Sequence, residues 1–296
     1  MELTIEHLSK EFKDKRAVDD VSLCLTPGVW GLLGANGAGK TTLMRMIADI
    51  MKPTHGTILY NGKNIQIMGS EYRNVFGFLP QDFGFFRDFT VKDYLEYIAA
   101  LKDVPIRVTN KKIENLLEIL TLTDVKNKKI IKLSGGMKRR VGIAQAMIND
   151  PEILIMDEPT AGLDPGERVR FRNFISEFSH NRIVLISTHI VSDIEYISAK
   201  NAIMKAGKII DVGTTDELLK QVMGKVWTSQ VPANMLPMFE LKVSIINQRI
   251  EEGNQVSIRY LADAPQIDNS TMAIPGLEDL YLWQFGAEDN SKEAIL

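Results

Sequence analysis

The stretch Gly34-Ala35-Asn36-Gly37-Ala38-Gly39-Lys40-Thr41-Thr42 constrains this chain more than any other. It matches G-x-x-x-x-G-K-S/T, follows Val29 to Leu33, which is apolar enough for a buried strand, and leads into a helical pattern from Thr41 to Met51. A glycine-rich turn in that setting lets successive backbone N–H groups curl inward at the positive end of a helix, forming an anion nest. The motif therefore predicts an α/β core whose strand feeds a phosphate-binding turn. Lys40 is placed to reach the β- and γ-phosphates of a nucleotide, and the Thr41 hydroxyl to ligate Mg2+. Asn36, Gly37, Ala38, Gly39 and Thr42 complete the cradle.

The rest of the pattern agrees with that core. Ile153 to Met156 and Ile183 to Ser187 are further strand-sized apolar runs, and their alternation with helical segments predicts a mostly parallel sheet covered by helices. Ile203 to Val212 reads as a hairpin turned at Ala206-Gly207. Asp93 to Leu101 and Lys111 to Leu122 carry apolar residues at helical spacing, which core packing explains. After about residue 222 the character changes: Val243 to Ile250 and Gln255 to Tyr260 are new strand or helix candidates, punctuated by Pro232, Pro237, Pro265 and Pro275. The expected organisation is a nucleotide-binding domain over 1–222, with a helical subdomain at about 82–150, and a small C-terminal domain over 223–296. The polar stretch from Ala287 to Leu296 is expected to be frayed.

Bulk properties exclude several functions. A net charge of −3 lacks the basic surplus that offsets nucleic-acid phosphates, so no nucleic-acid partner is expected. Cys24 is the only cysteine, which rules out an internal disulfide and a thiolate zinc site, and its neighbours Leu23 and Leu25 suggest a small packed side chain. His7, His55 and His180 stand singly without metal-ligand spacing. The N-terminus lacks the apolar stretch of a signal peptide, and no run approaches the ~20 apolar residues that cross a bilayer. Work on a membrane would need a partner.

Two further elements bear chemistry. Ile153-Leu154-Ile155-Met156-Asp157-Glu158 ends a strand in two carboxylates at the sheet edge where α/β proteins bind ligands. Asp157 suits Mg2+, and Glu158 could accept a proton from an attacking water. Leu133-Ser134-Gly135-Gly136-Met137, ahead of Lys138, Arg139 and Arg140, offers a second nest at a helix start. With an ordinary strand order, both nests cannot close on one γ-phosphate within a single subunit, which suggests head-to-tail pairing of two copies.

From residue 1 to about 220 these motifs stand in the order of the ABC (ATP-binding cassette) ATPase family, which the chain resembles. Gly34 to Thr42 resembles its Walker A loop, Gln81 in Leu79-Pro80-Gln81 its Q-loop glutamine, and Leu133 to Met137 its signature. Ile153 to Glu158 resembles its Walker B strand with the catalytic glutamate, Ala161-Gly162-Leu163-Asp164 its D-loop, and His189 in Ser187-Thr188-His189 its switch histidine. Phe12 stands where the family has an adenine-stacking aromatic, with packing beneath the first strand as the alternative. The resemblance implies a P-loop NTPase of ABC ATPase type, with a mixed sheet core, a helical subdomain and a small α+β C-terminal domain.

It also implies the cofactors ATP and Mg2+ and a division of labour. Glu158, His189, Gln81 and Lys40 are the catalytic candidates, and Thr41, Gln81 and Asp157 the metal candidates. Ser134, Gly135 and Gly136 would bind the γ-phosphate of the opposite subunit, and Asp164 would lie at the seam. Met137 departs from the glutamine many members carry. With Lys138-Arg139-Arg140 it resembles the branch of ABC-2 type exporters, as does Leu277 to Leu282, for which an amphipathic packing helix is the alternative. Phe83, Phe85, Phe86 and Phe89 crowd the stretch just after Gln81; core packing could explain two of them, but a surface pocket for a partner helix explains the crowd better, and the family uses this region to grip its membrane subunit. The expected protein is the ATPase subunit of a transporter, peripheral on the cytoplasmic face of the membrane, pairing with a second copy and with a separate transmembrane permease. A soluble ATPase of DNA repair or translation is the alternative, but the long coiled-coil insertion or second cassette of those proteins does not occur here. An ATP-sensing binding module is opposed by intact Lys40, Asp157, Glu158 and His189.

Overall fold

In the computed structural model, which describes residues 1–188 and 190–289 with backbone alone for 287–289, the chain divides into two compact units, the second beginning at Gly213. The first unit holds two sheets. Strands β1 (Leu3–Phe12), β2 (Lys15–Leu25), β4 (His55–Tyr60) and β5 (Lys63–Asn64) form an antiparallel sheet in the order β2-β1-β4-β5. The central sheet runs β10-β9-β3-β8-β7-β6. Its strands are β3 (Gly28–Leu33), β6 (Phe76–Leu79), β7 (Ile153–Asp157), β8 (Ile183–Ser187), β9 (Lys200–Lys205) and β10 (Lys208–Gly213). Neighbours from β9 through β6 pair in parallel. Every residue of β7 and β8 is buried. Strands covered on both faces need no polar alternation, which is why these two read as continuous apolar runs.

The residue pattern alone foresaw a mostly parallel sheet, whereas the family resemblance implied the mixed core that this antiparallel sheet completes. The antiparallel sheet also corrects the reading of Cys24. In β2 the side chains alternate, so Val21, Leu23 and Leu25 are buried while Ser22 and Cys24 face outward; Cys24 is exposed.

Helix α1 (Lys40–Ile47) packs into a core shared with both sheets. Its Leu43, Met44 and Ile47 are fully buried, each stabilising the fold by about 1.5–3 kcal/mol. The helix ends before the expected Met51 because Asp49 adopts φ 54°, a left-handed conformation that stops α-helical hydrogen bonding. Short helices α2 (Ile65–Met68) and α3 (Ser70–Val75) lead into β6.

Between β6 and β7 lie α4 (Val91–Leu101), α5 (Ile106–Ile119) and α6 (Gly135–Met147). A reciprocal cap between Thr90 and Asp93 opens α4. The second helical segment starts earlier than Lys111, directly after Pro105, and stops at Ile119, two residues before Thr121 turns to φ 55°. Helices α7 (Pro165–Phe178) and α8 (Val191–Glu195) flank β8 in sequence. The hairpin foreseen at Ala206-Gly207 is present, with φ of 48° and 84° at the two turn residues.

The second unit contains α9 (Thr215–Leu219), β11 (Val226–Pro232), α10 (Leu236–Glu240), β12 (Ser244–Glu251), β13 (Gln255–Leu261), β14 (Thr271–Met272) and α11 (Leu277–Asp289). Its antiparallel sheet, ordered β12-β13-β11-β14, packs around Val231, Val256, Ile258 and Tyr260. Arg259 fixes α11 by a forked ion pair to Asp279, with Nη2–Oδ2 at 2.6 Å. The unit starts at Gly213 rather than at residue 223 because α9, opened by a Thr214–Glu217 capping box, packs with α11. Helix α11 continues through Asp289, so the stretch expected to fray from Ala287 is helical to that point; residues 290–296 lie outside the described residues.

Candidate nucleotide site

Strand β3 delivers the chain into the glycine-rich loop, and the loop ends at the N-terminus of α1. Gly39 caps that helix at φ 108°, and a Cβ there would meet the Ala17 carbonyl and lie 2.8 Å from Met204 Cε. Only glycine fits both the backbone and the space. No side chain caps α1 and no acidic residue sits in its first turn, so its N–H groups and partial positive charge face an incoming anion unopposed. Lys40 is buried, and its Nζ reaches back across the loop to donate to the Gly34 carbonyl at 2.6 Å and the Ala35 carbonyl at 3.1 Å. Burial lowers its pKa, while Glu158 and then Asp157 pull in the opposite direction.

The carboxylates stand at the end of β7. Thr41 Oγ1 donates to Asp157 Oδ2 at 2.7 Å, and Ser187 Oγ donates to the other carboxylate oxygen. Ser187 is Asp157's register partner on β8, so the sheet itself sets this contact. Glu158 is buried and adopts φ 53°, which is uncommon and strained for a residue bearing a side chain. Its N–H donates to the Ser187 carbonyl at 3.0 Å, and Thr188 Oγ1 lies 3.4 Å from its Oε2.

A cleft of about 500 Å3 opens over these groups. The loop residues Asn36, Gly37, Gly39, Lys40, Thr41 and Thr42 form its floor, and Gln81, Asp157 and Glu158 one wall. Phe12, Lys15 and Ala17, from the β1–β2 hairpin, form another. Phe12 is 49% exposed, so packing beneath the first strand does not describe it. Ala38 is buried and holds the loop, accepting from Gly207 N–H at 2.9 Å. His189 lies outside the described residues.

Ser134, Gly135 and Gly136 do not line this cleft. Ser134 caps α6, accepting from Met137 N–H at 3.2 Å, and both Ser134 and Gly135 are exposed. Gly136 packs on the loop before α7: a Cβ there would lie 2.7 Å from the Gly162 carbonyl oxygen. Asp164 caps α7 through a reciprocal pair with Glu167.

Among the described residues, no group of three or more His, Cys, Asp or Glu side chains could hold a metal ion. The donor set instead fits Mg2+ shared with a nucleotide, because that ion takes oxygen ligands, here a hydroxyl and a carboxylate already 2.7 Å apart, and completes its shell with phosphate oxygens and water.

Sequence reasoning missed Ser187 as Asp157's partner, Lys15 and Ala17 as cleft walls, and the buried Arg139 beneath the site. The first could have been found from two strands ending at the same sheet edge. The others carry no local signal.

A family profile described as "ABC transporter" matches residues 18–161. The chain is 36% identical over 242 residues to an uncharacterized ABC transporter ATP-binding protein, YxlF, of Bacillus subtilis, spanning 81% of this chain and 80% of that one. It is 31% identical to the Nod factor export ATP-binding protein I of Ralstonia nicotianae, over 94% of this chain and 89% of the relative. A solved ATP-binding subunit of an ABC transporter superposes with a TM-score of 0.70 at 26% identity, covering 75% of this chain and 93% of that one. A dimeric bacterial ABC transporter cassette shares the fold, with a TM-score of 0.66 at 22% identity, covering 72% of this chain and 98% of that one. The profile match and the relative that is 36% identical over most of both chains establish that this chain belongs to the family of ABC transporter ATP-binding proteins, and it is an ATPase subunit.

Proposed function

We propose that two copies of the chain close head-to-tail on two Mg-ATP molecules and drive export through a separate membrane-spanning subunit. The observation that carries the pairing is the position of the signature: its serine and glycines lie outside the cleft that contains the loop, Gln81 and Glu158, on an exposed helix start. A second nest turned away from its own cleft is suited to a nucleotide held by another copy. The family contains a structure described as dimeric, which supports the same reading.

Within each cleft, Phe12 stacks on adenine, and Asn36 through Thr42 cradle the phosphates. Lys40 neutralises charge on the β- and γ-phosphates. Thr41 and Asp157 hold Mg2+ with help from Gln81; the ion supplies charge stabilisation at the phosphates. Glu158 takes a proton from the attacking water, and Ser187 fixes the carboxylate beside it. His189 completes the set as the γ-phosphate hydrogen-bond donor. Ser134, Gly135 and Gly136 close on the opposite nucleotide, with Asp164 at the seam.

The export direction rests on relatives named for Nod factor export. No helix among the described residues is long and apolar enough to cross a membrane; in the proposed assembly a separate membrane-spanning subunit forms the channel and the ATPase subunit docks on its cytoplasmic face. Phe86, Phe89 and Tyr97 form an aromatic cluster with centroid spacings of 5.0–5.9 Å, and Phe86 remains 52% exposed. It is the surface we assign to gripping that subunit.

The test is purification of tagged Glu158→Gln protein from detergent-solubilised source cells with Mg-ATP present. Recovery of a polytopic membrane protein is expected; recovery of ribosomal or DNA-repair proteins alone would refute the transporter assembly.

A further inference from the structure

Helix α6 carries the signature at its start and, five residues on, a guanidinium that points into the protein. Arg139 is buried, yet it forms no ion pair among the described residues. Its Nη1 donates to the Pro80 carbonyl at 2.8 Å and to the Gln81 carbonyl at 2.7 Å, and its Nη2 donates to the Asp157 carbonyl. Those carbonyls belong to two neighbouring strand ends: Leu79 of β6 pairs with Met156 of β7. One planar fork thus ties together the main chain at Gln81, the main chain immediately before Glu158, and the helix whose first turn holds Ser134 and Gly136.

A charged group taken out of water without a carboxylate partner is an expensive way to join three segments. Burial accordingly lowers the pKa of Arg139, against the pull of Asp157, Glu158 and Asp82. An apolar side chain could fill the same volume. What it could not do is fix the orientation of three carbonyls, and a lysine, donating from one point, could not span both strand ends either. Ser134 and Arg139 are separated by about 7.5 Å of helix rise, so a displacement of the α6 N-terminus is transmitted to the fork with little loss.

We propose that Arg139 is a positioning residue that couples engagement of the signature helix to alignment of Gln81 and Glu158 for hydrolysis. The inference rests on the assignment of Glu158 and Gln81 made above and goes beyond it by naming how the signature is sensed at the catalytic strand end. Arg139 does not line the cleft; it acts through the main chain.

The experiment compares Arg139→Lys and Arg139→Met with wild type for ATP turnover, and for affinity towards a fluorescent ATP analogue. The same substitutions in a Glu158→Gln background are scored for ATP-driven dimer formation. A misplacement on the ångström scale lowers kcat by about 10- to 100-fold. The expected result is that loss in both variants, with analogue affinity and dimer formation within about twofold of the parent. A merely structural arginine would lose affinity and dimer formation in step with kcat, and that pattern overturns the proposal. So does unchanged turnover in Arg139→Met. Glu158→Gln alone is the control: if it hydrolyses ATP normally, the underlying site assignment fails, whereas inactive Glu158→Gln with fully active Arg139→Met defeats the coupling proposal only.

Discussion

Arg140, the neighbour of Arg139, allows a stability prediction with a magnitude. Its Nη2 lies 2.7 Å from Glu167 Oε1, with side-chain exposures of 11% and 15%, and its Nη1 donates to the Leu120 and Thr121 carbonyls at 2.8 and 3.0 Å. Glu167 is also the residue that closes the cap with Asp164. Truncation in Arg140→Ala leaves a largely buried carboxylate without its counter-charge and two carbonyls without their donor. Removing one partner of such a pair costs about 3–5 kcal/mol. For a unit the size of Met1–Val212, each kcal/mol moves the melting temperature by about 2–4 °C, so a fall of about 6–20 °C is expected. Differential scanning calorimetry of the nucleotide-free protein measures it. Glu167→Gln keeps the capping geometry while removing the charge, and adding it to Arg140→Ala should restore at least about 1 kcal/mol, because coupled neighbours are non-additive by about 0.5–3 kcal/mol. A fall below about 2 °C in Arg140→Ala, or strict additivity in the double variant, would refute the reasoning.

Two other perturbations separate the nests. Gly136→Ala puts a Cβ 2.7 Å from the Gly162 carbonyl oxygen and must displace the signature, so steady-state assays should show turnover reduced more than about tenfold with equilibrium ATP affinity unchanged. Lys40→Met removes a charged donor to phosphate worth about 1.5–3 kcal/mol, and isothermal titration should show ATP affinity about 10- to 100-fold weaker. The same pair tests the buried ammonium. Its folded-state pKa lies below the ordinary 10.5, so between those two values the unfolded chain binds more protons, and wild-type stability should rise relative to Lys40→Met as pH increases through that window. Urea melts at a series of pH values approaching 10.5 read this directly, and a flat or falling difference would contradict it.

The loop at Gly34 to Thr42 and the strand ending in Asp157-Glu158 were legible because their chemistry is local: a nest needs glycines at fixed spacing, and a buried parallel strand needs a continuous apolar run. The sheet of β1, β2 and β4 was not, because its pairing joins Leu3 to both Leu25 and Tyr60, far apart in sequence, and irregular registers blur the alternation. Helix ends were missed where single residues such as Asp49 and Thr121 adopt left-handed conformations. Cys24 was misread because its neighbours' burial says nothing of its own once the chain is a strand. Arg139 and Arg140 were legible only as basic residues following the signature; the packing of α6 against β6 and α7 turns their charges inward, one to carbonyls and one to Glu167.

The pairing of two copies across two nucleotides is tested most directly by light scattering on purified Glu158→Gln protein, with and without Mg-ATP. Blocking proton transfer while leaving both nests intact should hold the closed state, so the 33.3-kDa chain should double in mass with Mg-ATP and return to monomer when the metal is chelated. Protein that binds ATP yet keeps its monomer mass, or that hydrolyses ATP at the wild-type rate, would contradict the account.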